Sequence, residues 1–298
     1  MTGKNNEDRY ALFAFKADPA NGSTPVLFAV VADGVGGKQA GEIAAETTVE
    51  TFQRIVAESD GADPLSTMRL AYRESNRAII ERAGEGMETS GMATTATCAW
   101  IAGDRLYGAN IGNSRLYLLR DDRLRRLSID HSWVEEAVGL GLITPEKARD
   151  HPNARIITRH LGSPDAEPDL RLRLSPEEDD GAMAANQGLR LLTGDILLIC
   201  SDGLSDVVYD EEIEAALNEG PLEPALARLT DLANERGGPD NITSVALRVP
   251  ENAPGEQPLP AGEATGRPRS RLSLYLLSSL LLVVLIVIGW LAYLFFFQ

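Results

Sequence analysis

The stretch 26-VLFAVVADGVGG-37 decides how the chain is read. Residues 26–32 are apolar without interruption and end on Asp33 and a glycine. A short apolar run rich in valine and bounded by a turn signal predicts a strand buried on both faces. A carboxylate just past such a strand is held rigidly at the sheet edge. The glycine after it lets backbone come close to whatever the carboxylate binds. One Asp-Gly after a strand is more often only a turn. Here the arrangement recurs. Asn6-Glu7-Asp8 opens the chain, Ser201-Asp202-Gly203 follows the apolar run 196–200, and Gly237-Gly238-Pro239-Asp240-Asn241 enters the run 242–249.

Working outward, Ala40, Ala44, Thr47, Thr51 and Ile55 recur at helical spacing, and a second helix is predicted over 64–83 with Leu65, Met68, Tyr72 and Ile79 on one side. Strand-like segments follow at 94–101, 105–110, 115–120 and 124–127. Ala-Gly-Asp joins the first two and Asp121-Asp122 the last two, as in hairpins. Residues 131–165 read as helix and loop, and the small, polar segment 175–188 as a surface loop. Further helices are predicted near 210–217 and 222–236. Meandering strands with helices in pairs predict an α+β domain whose helices cover sheet faces.

The chain has 298 residues, with 44 acidic side chains against 28 basic ones and a net charge of −16. An acidic domain repels nucleic-acid backbones, so no nucleic-acid partner and no basic face are expected. Carboxylates without cysteine or clustered histidine suit hard cations such as Mg²⁺ or Mn²⁺. Gathered in one place, they repel one another unless cations neutralise them. Cys98 and Cys200 lie in apolar runs and read as small buried hydrophobes. His131, His151 and His160 make no zinc pattern and read as packing or loop residues.

The C-terminal region differs. Residues 272–297 carry no charge, and a run of roughly twenty apolar residues spans a bilayer core, so one transmembrane helix is expected. Arg267, Arg269 and Arg271 precede it, which places the large domain on the cytoplasmic side of the inner membrane as a single-pass protein. The expected organisation is a catalytic domain over 1–250, a flexible Pro/Gly-rich linker over 251–271 and the span over 272–297.

The four acidic motifs keep company with Gly91-Met92-Ala93-Thr94-Thr95, Gly112-Asn113-Ser114-Arg115, Asp130-His131-Ser132 and the run HPNARIITRHLG at 151–162. In this order and spacing the set resembles the metal-dependent serine/threonine protein phosphatases of type 2C (the PPM family), bacterial branch, over residues 4–249. The resemblance implies a β-sandwich of two antiparallel sheets flanked by helix pairs. It also implies a centre of two Mn²⁺ or Mg²⁺ ions per chain. Asp33 would bridge both ions, Asp202 and Asp240 would complete one, and Glu7 with the Gly34 carbonyl would serve the other. Asp8 would hold water in the centre, and Asn241 would steady the neighbouring loop. The implied activity is hydrolysis of phosphoserine and phosphothreonine in proteins by an activated water. The implied partners are phosphoproteins, a cognate serine/threonine kinase and membrane lipid around the C-terminal helix.

The chain departs from the family pattern in three places. Gly3 stands where the family has an arginine that grips substrate phosphate, leaving Lys4 as the candidate replacement. Asn113 stands where the family often has an aspartate for a third metal, so that site, with Asp206 as its other ligand, is expected to be weak or empty. Val35 stands where some relatives have a histidine. Two alternatives compete with the phosphatase reading. One is another binuclear-metal hydrolase such as a nuclease. The other is a membrane-tethered phosphoprotein-binding scaffold.

Overall fold

In the computed structural model the described residues are 5–17, 24–35, 40–86 and 89–250. The expected linker over 251–271, the expected span over 272–297, Gly3 and Lys4 lie outside them. Among the described residues no helix is long and apolar enough to cross a membrane. The chain divides into Met1–Glu256 and Gln257–Gln298, and every described residue belongs to the first unit.

The run that ends on Asp33 forms β2 (Thr24–Val35), and its neighbours build an antiparallel sheet around it. Strand β1 (Asp8–Ala17) pairs with one edge of β2. On the other side come β4 (Ala96–Ala102), β5 (Arg105–Ile111) and β8 (Leu189–Arg190), and β3 (Ala93–Thr94) adds to the end of β2. The second antiparallel sheet has the order β10 (Ser244–Arg248), β9 (Ile196–Cys200), β6 (Arg115–Arg120), β7 (Arg123–Arg126). The hairpin between β6 and β7 turns on Asp121 and Asp122, both at positive φ (52° and 59°), which is the two-residue turn whose twist matches paired strands.

The period of two along a strand sorts side chains into layers. On β2, Phe28, Val30 and Ala32 face a core shared with α1 (Ala40–Glu58) and α2 (Pro64–Ala83), where Phe52, Tyr72 and Trp100 are fully buried. Ala29 and Val31 face the other way, into a core with Leu116, Leu118, Leu197, Ile199 and Val245 of the second sheet. The remaining β9 side chains, Ile196, Leu198 and Cys200, pack under α7 (Asp210–Asn218) and α8 (Leu222–Glu235). The result is helix pair, sheet, sheet, helix pair. The continuous apolar runs of β2 and β9 follow from burial on both faces.

One expectation needs correction. Residues 175–188 are not all loop. They contain α5 (Asp180–Ala185), started by Asp179, whose side chain accepts from the Ala182 N–H at 2.8 Å. Strand β1 was not legible, because Tyr10 and Leu12 are exposed (63% and 45%) while Phe13 and Phe15 pack inward, so apolar side chains occupy both faces. Between β7 and α5, the helices α3 (Trp133–Gly139) and α4 (Pro145–Ala148) interrupt a long loop, whose Arg155 reaches Asp206 (3.2 Å).

Candidate metal centre

The acidic motifs meet where strands of both sheets end. Asp8 and Asp33 sit directly opposite each other in the β1–β2 register. The Asp33 backbone is clamped: its N–H donates to Thr95 Oγ1 (3.1 Å), and its carbonyl accepts from the Thr95 N–H and Thr94 Oγ1 (2.8 Å each). Thr95 Oγ1 in turn shares a hydrogen bond with Ser114 Oγ at 2.8 Å. The 91–95 and 112–115 motifs are thus the fastening for Asp33.

The second sheet supplies α6 (Asp202–Ser205), which starts two residues after β9, and the loop before β10. Asn113 Nδ2 donates to Asp202 Oδ2 at 2.9 Å. Ser201 Oγ donates to Asp8 Oδ2 at 2.8 Å and accepts from the Thr243 N–H at 3.0 Å, tying the first sheet to the second. The Glu7 N–H donates to Asn241 Oδ1 at 2.9 Å. The Asn241 N–H donates to Asp240 Oδ1 at 2.9 Å. Ser201, Thr94, Thr95 and Ser114 stand in the quoted motifs, but the sequence assigns their hydroxyls no role, since a contact between distant segments carries no periodic signal.

The glycines after the aspartates also sit where backbone meets backbone. At Gly34 a Cβ would lie 2.2 Å from the Gly41 carbonyl oxygen, and at Gly203 it would lie 1.9 Å from the Asn241 carbonyl oxygen. Backbone crosses backbone there, and no side chain fits. Gly41 leaves a similar gap: a Cβ on it would come within 2.6 Å of Glu7 Oε2 and 2.8 Å of the Gly34 carbonyl oxygen. The two oxygens assigned to one ion therefore border the same small space.

Burial pushes the Asp33 carboxyl well above the usual range, and the charges of Asp202, Asp8 and Asp240 push it further. Burial likewise raises Asp8 to about 6, with Asp202 and Asp240 adding to the rise and hydrogen bonds from Ser201 and Thr243 opposing it. Asp202 is raised by burial against the Asn113 hydrogen bond. Asp206 is raised to about 6 by burial and by Asp202, with Arg155 opposing at 3.2 Å. Asp202 raises the cost of ionising Asp33, a repulsion that a cation between them would relieve.

Among the described residues no group of three His, Cys, Asp or Glu side chains stands ready as a closed cage. The chemistry of the donors nonetheless fits a divalent hard cation. All are oxygens, the four aspartates act on one another electrostatically, and Asp8 Oδ1 is buried with no partner. Such carboxylates remain charged together at neutral pH only with added positive charge. Asn113 and Asp206 turn elsewhere, to Asp202 and Arg155. The histidines stay outside the cluster. His131 is buried with Nδ1 accepting from the Gly112 N–H (3.1 Å), His151 stacks on Trp133 with ring centroids 4.6 Å apart, and His160 Nδ1 bonds the Leu161 carbonyl (3.0 Å). Both cysteines are buried free thiols, pushed by burial to about 12.

Against the centre lies a cavity of about 790 Å³, bordered by Asn113, Ser205 and Asp206. Seven arginines line it, which corrects the expectation of no basic face. Spread over 115–173, they form no run in sequence.

The Protein phosphatase 2C family model matches residues 2–245, and the chain belongs to that family. It is 37% identical over 237 residues to the serine/threonine protein phosphatase PstP of Mycobacterium tuberculosis, a match covering 79% of this chain and 43% of PstP. It therefore spans less than half the length of that relative. The fold is similar to the S. agalactiae serine/threonine phosphatase (TM-score 0.71, 34% identity, 84% of this chain and 96% of that one). It is also similar to the catalytic domain of PstP in complex with two manganese ions (TM-score 0.65, 34% identity, 82% and 99%).

Proposed function

We propose that this chain hydrolyses phosphoserine and phosphothreonine in proteins at a centre of two divalent cations. The observation that carries the reading is the all-oxygen cluster joining both sheets, in which Asp8 and Asp33 are buried opposite each other, Ser201 links Asp8 to the second sheet, and Asp8 Oδ1 has no partner. In this reading Asp33, Asp202, Asp240, Glu7 and the Gly34 carbonyl would hold the two ions, with Asp33 shared between them. Bound there, Mn²⁺ or Mg²⁺ lowers the pKa of water to near neutrality and offsets charge on the phosphoryl oxygens. The chain itself supplies placement. Thr94 and Thr95 fix Asp33, Asn113 orients Asp202, and Ser201 and Thr243 leave Asp8 Oδ1 free to accept from water. No side-chain nucleophile is required. The PstP catalytic domain with two manganese ions supports the two-cation count by similarity.

The same reading sets the domain at the cytoplasmic face of the inner membrane, with residues 272–297 as a single span. Its support is the charge-free run and the arginines before it. Phosphoproteins at that face, a cognate serine/threonine kinase among them, are the proposed substrates and partners.

The test is phosphate release by the full chain from a phosphothreonine peptide and from an aryl phosphate, with Mn²⁺, Mg²⁺ or chelator. Turnover that needs a divalent cation and disappears in Asp33→Asn and Asp240→Asn is expected. Turnover indifferent to chelator would sink the reading. Cleavage of nucleic acid would favour a nuclease, and peptide binding without hydrolysis would favour a scaffold.

A further inference from the structure

The arginine-lined cavity is built from two directions. Arg115, Arg126, Arg171 and Arg173 come from the second sheet and the loop beyond it, and Arg149, Arg155 and Arg159 from the segment after α4. Five carboxylates share the wall. The innermost are outnumbered. Asp130 is held by Arg115 (2.8 Å) and Arg126 (3.2 Å), and Glu135 by Arg126 (2.8 Å) and Arg173 (2.9 Å). Three guanidiniums thus stand around two carboxylates, and the further acidic neighbour of Arg115, half-exposed Asp210 at 3.8 Å, is not part of the wall. Arg171 is matched by Asp169 and Asp180.

The cations are also incompletely used. A guanidinium has five N–H donors. Among the described residues the Arg173 side chain engages only Glu135, through Nη1, and Arg155 engages only Asp206, through Nε, while 60% exposed. Arg159, exposed, has no ion pair among them. In a chain of net charge −16 the wall itself carries seven guanidiniums against five carboxylates. A part-buried surplus of cations is stable when an anion completes it.

We infer that this cavity is a subsite for acidic side chains that flank the phosphorylated residue of a polypeptide substrate. The inference rests on the proposed phosphatase reading. The occupant is part of the substrate because the cavity shares Asn113 with the centre, where Asn113 holds Asp202, and shares Asp206, the residue that caps α6 four positions beyond Asp202. Four helical residues rise about 6 Å, which roughly two residues of extended chain cover. The volume lies in the range of small-ligand pockets, roughly 300–1,000 Å³. Guanidiniums present paired N–H groups that match a carboxylate. Basic flanks would meet the same wall with like charge, so the subsite selects by repulsion as well as attraction.

The test uses the full chain and three substrates: a phosphothreonine peptide with glutamates on both sides, the same peptide with lysines, and an aryl phosphate with no flanks. The variants are Arg159→Glu, at an exposed position, and Arg173→Gln, which leaves Glu135 its contact with Arg126. At low salt the wild type is expected to show kcat/KM at least about fivefold higher on the acidic than on the basic peptide, a difference of electrostatic complementarity. The preference should shrink in both variants and in high salt, with aryl phosphate turnover unchanged within about twofold. Equal kcat/KM for the two peptides, or a preference undiminished in both variants, overturns the inference. If wild type fails on the aryl phosphate, the phosphatase reading fails separately. Fluorescence anisotropy of the labelled peptides then still decides the subsite, with tighter acidic-peptide binding supporting it and equal binding refuting it.

Discussion

Asp33 shows most directly how one side chain is made unstable for a purpose. It is buried, faces three other aspartates and is fastened by its own backbone to Thr94 and Thr95, so it cannot swing away. Neutralising it should relieve repulsion and remove a ligand together. Asp33→Asn is expected to raise the chelator-treated melting temperature by about 3 °C while abolishing the rise that Mn²⁺ gives wild type. Thermal melts with and without the ion check both. The pH dependence follows from the same carboxylates. An acid whose folded pKa lies above its unfolded value near 4 binds more protons folded than unfolded, so stability falls as pH rises from about 4 through its folded pKa. Asp8 reaches about 6 and Asp33 rises further in the same direction. The chelator-treated protein should therefore melt lower at pH 7.5 than at pH 5. Mn²⁺ should stabilise it strongly at pH 7.5 and little at pH 5, where it must displace protons. A melting temperature that climbs from pH 5 to 7.5 in chelator would contradict this assignment.

At the scale of elements, the centre depends on close crossings of backbone. The start of α6 passes under the loop before β10 with no room for a Cβ at Gly203. Gly203→Ala should force the Asp240–Asn241 loop away, with a loss of about 2–4 kcal/mol in urea unfolding and a lower affinity for Mn²⁺. Gly237→Ala probes a different constraint, positive φ (103°) with nothing within 4 Å of a Cβ, and should cost only about 1 kcal/mol with metal affinity kept. The contrast between the two glycines separates crowding from backbone conformation. The 91–95 and 112–115 motifs belong to this scale too, because each contributes a hydroxyl to the fastening of a neighbouring strand.

For the whole molecule, three cores close among the described residues. One lies between α1, α2 and the first sheet, one between the sheets, and one under α7 and α8. A chain cut after residue 250 is expected to unfold in urea with an unchanged midpoint and to keep the turnover of the full chain on an aryl phosphate. A large drop in the midpoint would show that later residues complete a core.

What the sequence determined by itself was local: the doubly buried runs of β2 and β9, the turn at Asp121-Asp122, the helical spacing of α1 and α2, and the places where carboxylates follow strands. Those signals live in periods of two and 3.6 residues, which a linear reading detects. Tertiary structure decided the rest. Glu7 meets Asn241 across 234 residues and Asp8 meets Ser201 across 193, and no local period encodes such meetings. The same holds for the arginines between 115 and 173, which look scattered in sequence and become a cavity wall only when the strands and the long loop stack. Strand β1 stayed hidden because apolar residues cover both its faces, and only its pairing with β2 sets which face goes in. Side-chain identity carried the chemistry; chain packing set the distances at which that chemistry acts, because charge repulsion and hydrogen bonds operate only between groups brought within a few ångströms.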